Sequence, residues 1–198
     1  MKKFILLLSV ISFIAFTGFG QGLSGGIKAG VNFSNESYSS SSITFIPDGL
    51  VGFNGGLYLT AMLTEKIGIQ PELLYSVQGS TITLFNTKVD NKYSYLNIPV
   101  LFRYNIIPLI NVHAGPQLGI NLSADQKSGG NSASFKNDVN TADFAVAFGA
   151  GFDLPVGFNG GIRYNLGLSN TAKNATNGET AKHTVFQIYV GMRLFGAK

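Results

Sequence analysis

The stretch FDLPVGFNGGIRYNLGLSN, residues 152–170, alternates apolar residues with small or polar ones on both sides of a short turn, Pro155-Val156-Gly157. After the turn, one parity of positions is apolar: Phe158, Ile162, Tyr164, Leu166 and Leu168. Such a hairpin has one apolar and one polar face. A soluble sheet buries its apolar face in a core, whereas a membrane barrel turns that face outward to lipid. The rest of the chain has to decide between these two environments.

The first 21 residues have the features of a secretory signal peptide. Lys2 and Lys3 give a basic start, an apolar run covers residues 4–16, and small residues precede a cleavage site near Gly20 or Gln21. The run is shorter than the ~20 apolar residues that a spanning helix needs. We therefore predict a signal peptide at 1–21 and a single exported domain at 22–198.

The composition excludes several classes of protein. The chain has no cysteine, which excludes a disulfide framework, a thiolate metal site and a lipoprotein anchor. The net charge of +4 falls by two, to about +2, once Lys2 and Lys3 are removed, which is too little for a nucleic-acid surface. Charged residues make up 12% of the chain, against about 25% in typical soluble domains. This deficit of charge favours a lipid environment.

Eight alternating segments are each long enough to cross a bilayer as a tilted strand of about 9–11 residues. They lie near residues 24–35, 50–63, 67–79, 93–106, 110–122, 141–154, 158–169 and 184–195. Short turns alternate with long polar loops at 36–49, 80–92, 123–140 and 170–183. This asymmetry is typical of outer-membrane barrels whose termini are periplasmic. The prediction is an all-β fold, an eight-stranded antiparallel transmembrane up-and-down β-barrel.

The distribution of lysine indicates which face is outside. The solvent face of a soluble β-sandwich would carry lysine and glutamate freely, yet Lys28 is the only lysine inside a predicted strand. The polar parity consists instead of Gly, Asn, Gln, Tyr and Arg, which suits a narrow, crowded lumen. We therefore expect the apolar face to contact lipid; a soluble β-sandwich or lipocalin-like carrier is the alternative.

The polar parity also brings seven charged side chains to the predicted lumen. Buried charges are stable only when they are paired and hydrogen-bonded, so we predict an ion-pair network in place of a free channel. The planar guanidinium of arginine can hold two carboxylates or carbonyls at once. The predicted members are Lys28, Glu72, Arg103, Asp143, Asp153, Arg163 and Arg193.

Aromatic residues near the predicted strand ends are expected to form girdles at the membrane interfaces. The candidates are Tyr93, Tyr95, Tyr104, Phe158, Tyr164 and Phe195.

Four stretches carry a resemblance to a known family. They are GIKAGVNFSN (26–35), IQPELLYSVQGS (69–80), YLNIPVLFRYNI with HAGPQLGIN (95–106 and 113–121), and GGIRYNLGLSN (160–170). Together they resemble the PorT-type outer-membrane β-barrel family, described as outer membrane protein beta-barrel domain. The resemblance implies an eight-stranded barrel in the outer membrane and implies little about activity. The family commonly has a carboxylate where this chain has Asn97, which removes a possible luminal partner of Arg103.

Two histidines are the main candidates for chemistry. His113 lies on the luminal parity, where a histidine is more often a hydrogen-bonded packing residue than a base. His183, at the foot of the last loop, could form a hydrolase or acyltransferase site with Glu179 and loop serines, but no spacing requires it. No acidic loop has the spacing of a calcium site. We therefore expect no catalytic residue, no cofactor and no metal.

The expected function is that of a monomeric, non-enzymatic barrel with a lumen filled by side chains. Its role would be structural, in envelope integrity, or one of surface interaction, with outer-membrane lipid around it and an extracellular or envelope protein bound through the four long loops. Two alternatives stay open: a narrow pore or secretion-associated barrel, and a barrel enzyme acting at the outer leaflet. An eight-stranded barrel has an interior just wide enough for side chains to fill, which argues against the pore.

Overall fold

A computed structural model describes residues 22–39, 44–45, 47–84, 87–128, 131–173 and 180–196. The predicted signal peptide, 1–21, lies outside the described residues, as does part of each predicted long loop. No helix in the described ranges is long and apolar enough to cross a membrane. A short 3-10 helix covers Lys136–Asp138. The strands are β1 (Leu23–Ser39), β2 (Thr44–Phe45), β3 (Asp48–Met62), β4 (Ile67–Leu84), β5 (Thr87–Ile107), β6 (Ile110–Ser128), β7 (Asn131–Ser134), β8 (Ala142–Asp153), β9 (Phe158–Gly167) and β10 (Thr180–Phe195).

The eight long strands pair antiparallel into a closed ring. Each pairs with the next long strand along the chain, and β10 pairs back with β1. Following paired residues once round the ring from Leu23 leads back to β1 at Phe33, ten residues further along. Such a stagger tilts the strands, as closure of a barrel requires. The prediction of an eight-stranded barrel is confirmed.

The outer face of the ring is apolar and the inner face is polar. Phe102 and Val190 are more than 60% exposed, and most other large apolar side chains of the strands are also exposed. In the hairpin of β8 and β9, Phe158 and Ile162 point outward, whereas Arg163 and Asn165 are buried inside the ring. A water-soluble monomer rarely exposes so large a continuous apolar surface. The apolar face is therefore the one that meets lipid.

The strands extend further into the predicted long loops than the sequence indicated. Most of the predicted loop 80–92 is a hairpin, because β4 continues to Leu84 and β5 begins at Thr87. In the other loops β1 continues to Ser39, β6 to Ser128, and β10 begins at Thr180. The polarity alternation ends where the strands leave the lipid and both faces become polar. Backbone pairing continues there because ladder hydrogen bonds do not require an apolar face.

Two of the predicted girdle residues are not on the lipid face. Tyr93 and Tyr95 are 3% and 1% exposed, inside the barrel, so the prediction was wrong for them. They share the parity of Asn97, which also faces inward, and parity decides the face of a strand residue. The other four candidates, Tyr104, Phe158, Tyr164 and Phe195, face outward.

Gly56 lies where β3 comes too close to β4 for a side chain. A Cβ atom built on Gly56 would lie 2.0 Å from the carbonyl oxygen of Leu73, whereas one on the neighbouring Gly55 would lie 3.6 Å from the nearest atom, the carbonyl oxygen of Lys28. We predict that Gly56→Ala lowers the free energy of unfolding by about 1–3 kcal/mol, because the backbone of β4 must shift. Urea unfolding in detergent, with Gly55→Ala as the matched control, measures the difference. Equal losses in the two variants would contradict the close approach.

Candidate functional site

Glu72 in β4 is the centre of a charged layer that crosses the middle of the lumen. Its Oε1 accepts hydrogen bonds from Lys28 Nζ at 2.7 Å, from Gln70 Nε2 at 2.7 Å and from Arg163 Nη2 at 2.8 Å. Its Oε2 accepts one from Arg163 Nη1 at 2.7 Å. The side chains of Glu72 and Arg163 are 0% and 1% exposed. The two-pronged arginine contact, which is the strongest geometry for such a pair, joins opposite walls of the barrel.

Aromatic rings and a histidine complete this layer. The Nζ of Lys28 lies 4.1 Å from the ring centre of Tyr189 and 5.4 Å from that of Tyr58. The guanidinium carbon of Arg163 lies 5.3 Å from the Tyr189 ring, and its Nε donates to His113 Nε2 at 3.5 Å. Two cations thus share one carboxylate, and the ring faces supply further negative potential. We call Lys28, Glu72 and Arg163 with these rings the Glu72 layer.

A second, uncharged layer is centred on Asn32, which is fully buried. Its Nδ2 donates to Ser76 Oγ at 2.9 Å and to the carbonyl oxygen of Val77 at 2.8 Å. Its Oδ1 accepts from Asn54 Nδ2 at 2.6 Å and from Gln187 Nε2 at 3.0 Å. Because these partners lie on β3, β4 and β10, Asn32 ties four neighbouring strands together on one side of the lumen.

A buried carboxylate, Glu36, lies in the lumen near the long-loop end. Its oxygens accept hydrogen bonds from the hydroxyl groups of Tyr38, of Ser80 at 3.3 Å, of Tyr93 at 3.2 Å and of Thr171 at 3.3 Å. Tyr38 and Tyr93 lie beyond the lipid-facing part of their strands. Burial and the neighbouring Glu36 carboxylate raise the pKa of both tyrosines, so both remain hydrogen-bond donors.

A cap formed by residues 135–141 and 169–173 covers the Glu36 cluster. The ring of Phe135 contacts Tyr93 edge-on at 5.4 Å, and Asn140 N–H donates to the Thr171 carbonyl oxygen at 2.8 Å. Lys173 N–H donates to the carbonyl oxygen of Asp138 at 2.9 Å, which joins the two parts of the cap. The long-loop end of the barrel is therefore closed by its own chain.

His183 lies beneath the cap and is 3% exposed. Its ring contacts Tyr93 edge-on at 4.6 Å, and its Nε2 lies 3.9 Å from Glu36 Oε1. Neither ring nitrogen has a hydrogen-bond partner within the part of the chain that the structure describes. This histidine is therefore enclosed, and a substrate outside the cell could not reach it while the cap is in place.

The short-turn end carries a separate ion pair between Arg103 and Asp153. Arg103 Nε donates to Asn105 Oδ1 at 3.0 Å, and its Nη1 donates to Gln70 Oε1 at 3.2 Å. Asn111 Nδ2 donates to Asp153 Oδ2 at 3.0 Å. Gln70 also contacts Glu72, so this pair is linked to the Glu72 layer through one amide.

The seven predicted network residues occupy three heights of the lumen, and hydrogen bonds through Gln70 connect five of them. Lys28, Glu72 and Arg163 meet in the middle, and Arg103 meets Asp153 nearer the short turns. Asp143 accepts a hydrogen bond from Ser169 near the cap, and Arg193 lies beside the turn at Gly157. Parity specifies the face of a strand residue, but its height depends on the tilt and register of the closed ring.

The Glu36 cluster is the part of the lumen that the sequence analysis missed. The sequence pattern predicts a loop at 36–49, which leaves Glu36 and Tyr38 off the predicted strand. A signal was present, because Asn32, Ser34 and Glu36 continue the polar parity of β1 beyond its apolar part. Within the described ranges, no group of three or more His, Asp or Glu residues is arranged to hold a metal ion.

The fold and lumen define a small transmembrane β-barrel. The Glu72 layer crosses its lumen at mid-height, and the cap covers its long-loop end. The model of the family described as outer membrane protein beta-barrel domain matches residues 18–173, and the chain belongs to this family. It is thus an outer-membrane protein. In outer-membrane barrels the short turns are generally periplasmic and the long loops extracellular, and we expect the same orientation here.

Two solved structures are similar to this chain. The attachment invasion locus protein Ail of Yersinia pestis is 16% identical with a TM-score of 0.50, covering 88% of this chain and 99% of that one. Neisserial surface protein A, NspA, is 15% identical with a TM-score of 0.54, covering 87% of this chain and 99% of that one. At these identities the likeness shows the fold alone. A comparison with curated protein sequences finds no match.

Proposed function

We propose that this protein is a non-conducting, non-enzymatic barrel that acts through contacts made by its extracellular end. The observation that carries the proposal is the Glu72 layer, in which Lys28, Glu72 and Arg163 are fully buried and joined across the lumen. An ion crossing the barrel would have to separate charges that hold each other in a low-dielectric interior, which is energetically costly. The long-loop end is left as the surface available for function.

The extracellular end has a surplus of positive charge that favours a negatively charged partner. Two lysines oppose aspartates across the β5–β6 ladder, in the pairs Asp90–Lys127 and Lys92–Asp125. The remaining charged residues that are exposed in the described part of this end are Lys88, Lys136, Lys173 and Lys182 against Asp48 and Asp138. An uncompensated positive surface attracts polyanions and speeds their encounter. The name of the similar Ail protein, an attachment locus product, agrees with a contact role.

The enzyme alternative has the least support. His183, its candidate base, is buried under the cap beside aromatic rings, and a general base must lie within hydrogen-bond reach of a substrate. The PorT-type resemblance remains a matter of short stretches, and no luminal or surface feature of the described residues supports a part in secretion. We therefore base the proposal on the closed lumen and on the exposed charged residues of the extracellular end, which we call the charged rim.

The surface role can be tested with dextran sulfate as a polyanionic probe and neutral dextran as its control. We expect the refolded barrel in nanodiscs to bind dextran sulfate, with an affinity that falls steeply as salt is raised. Replacing Lys88, Lys136, Lys173 and Lys182 with glutamine should weaken binding by about tenfold or more, because four exposed charges are removed. Biolayer interferometry would measure both affinities.

Retention of full affinity in the four-lysine variant would contradict the surface half of the proposal. The closed-lumen half has its own test, since steady single-channel conductance of the refolded wild-type barrel in a planar bilayer would contradict it. The migration of unboiled protein in a detergent gel confirms that each variant is folded.

A further inference from the structure

A cavity of about 820 Å³ opens at the periplasmic end of the barrel, below the Glu72 layer. Its volume lies within the range of roughly 300–1,000 Å³ that is typical of ligand sites. Its walls come from the short turns around Leu63, Ile107 and Leu154 and from the end of β10. It is thus separated from the extracellular surface by both the Glu72 layer and the cap.

The cavity is lined by a basic residue that forms no ion pair with a carboxylate of the described residues. Lys28, Arg103 and Arg163 are each in an ion pair with a carboxylate. Arg193, which lines the cavity, has no such pair in the part of the chain that the structure describes. The guanidinium group of a half-buried arginine can donate two parallel N–H hydrogen bonds. It is therefore suited to a planar anion with two oxygens, such as a carboxylate.

The other cavity walls carry groups that suit a peptide. Asn159 presents an amide group that can pair with the backbone of a peptide, whereas the hydroxyl group of Thr60 already donates to Gln70 and the amide group of Asn105 already contacts Arg103 and the Glu65 carbonyl oxygen. Asn159 is held by a 2.7 Å hydrogen bond from its Nδ2 to the hydroxyl oxygen of Tyr58, which leaves its carbonyl oxygen as an acceptor. At the rim, Met62 supplies apolar contact for side chains.

We propose that this periplasmic cavity binds a short peptide by its free α-carboxylate, which Arg193 holds. The site goes beyond the proposed function, because it lies at the opposite end of the barrel from the charged rim. The amide group of Asn159 pairs with the peptide backbone, and the Arg103–Asp153 pair closes the inner end of the cavity. Among small anions, the site therefore prefers a carboxylate that is followed by amide groups.

The test uses N-acetyl-trialanine with a free carboxylate and the same peptide with a carboxamide, each titrated by NMR into the refolded barrel in micelles. We expect the acid to bind about tenfold or more tightly than the amide, since a charge-assisted pair is lost. Arg193→Gln should remove this preference, and Arg193→Lys should keep part of it, because lysine retains the charge without the fork. Lys127→Gln, an equal loss of charge at the extracellular end, should leave binding unchanged.

Equal binding of acid and amide to the wild-type barrel would overturn the proposal, as would no saturable binding of the acid at millimolar concentration. Inorganic phosphate binding as tightly as the acid would show a general anion site and overturn the assignment to a peptide. Unchanged affinity in a folded Arg193→Gln variant would overturn the role of Arg193. The comparison of acid with amide needs only the wild-type protein and so decides the matter even if the variants do not fold.

Discussion

Replacing Glu72 with glutamine is expected to lower the free energy of unfolding by roughly 3–5 kcal/mol, the range observed when one partner of a buried ion pair is removed. Glutamine has nearly the same shape as glutamate, so little packing is lost. The loss arises because Lys28 and Arg163 would both remain in the lumen with no carboxylate between them. Their charges could be relieved only if water entered the barrel or if the strands opened.

Urea unfolding in detergent, followed by the change in migration between unboiled and boiled samples, would measure this loss. Glu65→Gln is the matched control, because Glu65 lies exposed in a periplasmic turn and the same atoms are replaced. Its expected effect is within about 0.5 kcal/mol, as for most surface substitutions. A Glu72→Gln barrel as stable as the Glu65→Gln barrel would show that the central charges are not coupled as the distances indicate.

Replacing Tyr93 with alanine is expected to cost about 3–5 kcal/mol and to loosen the cap, since truncation of a buried aromatic residue leaves a cavity. The ring of Tyr93 contacts Phe135 of the cap and His183 beneath it, and its hydroxyl group donates to Glu36. Loss of the ring removes the main apolar contact that holds residue 135 in place. Hydrogen exchange of residues 135–141 should therefore become faster in this variant.

Two further variants separate the contributions to this loss. Tyr93→Phe keeps the ring and removes only the hydrogen bond to Glu36, so a smaller loss of about 1–3 kcal/mol is expected. Tyr75→Ala removes a lipid-facing tyrosine whose hydroxyl group contacts Ser94 at 3.0 Å, and cap exchange should stay unchanged. If cap exchange were equally fast in Tyr75→Ala and Tyr93→Ala, the cap would not depend on the Tyr93 contact.

The Glu72 layer and the cap have different physical origins and should respond differently to salt. The Glu72 layer is buried inside the barrel, where dissolved ions screen charges only weakly, so its contribution should vary little with ionic strength. The cap is held by aromatic packing and by hydrogen bonds from hydroxyl groups to the buried Glu36 carboxylate, and the charged rim lies outside it. Only the rim should therefore be strongly salt-sensitive, which agrees with a surface-contact role.

Some features of the fold could be predicted because they depend on local pattern. Alternation along β8 and β9 placed Phe158 and Ile162 on one face and Arg163 on the other. In the closed ring, Phe158 and Ile162 lie on the outer face and Arg163 lies on the inner face. The extracellular parts of β4 and β5 could not be predicted in the same way, because polar residues occupy both faces there. Tyr93 and Tyr95 show a further difficulty, since aromatic residues near a strand end suit a membrane girdle and a luminal cluster equally well.

The sequence by itself determined the number of membrane strands, the lipid face and, except for Glu36, the charged residues that face the lumen, because side-chain direction in a strand follows from parity alone. Only the tertiary structure decided which of those charges meet. Glu72 and Arg163 are 91 positions apart in the chain, and their contact depends on the ten-residue stagger of the closed ring. The cap and the height of Arg193 in the lumen likewise follow from ring closure, because height in the barrel is set by the tilt and register of all eight strands together.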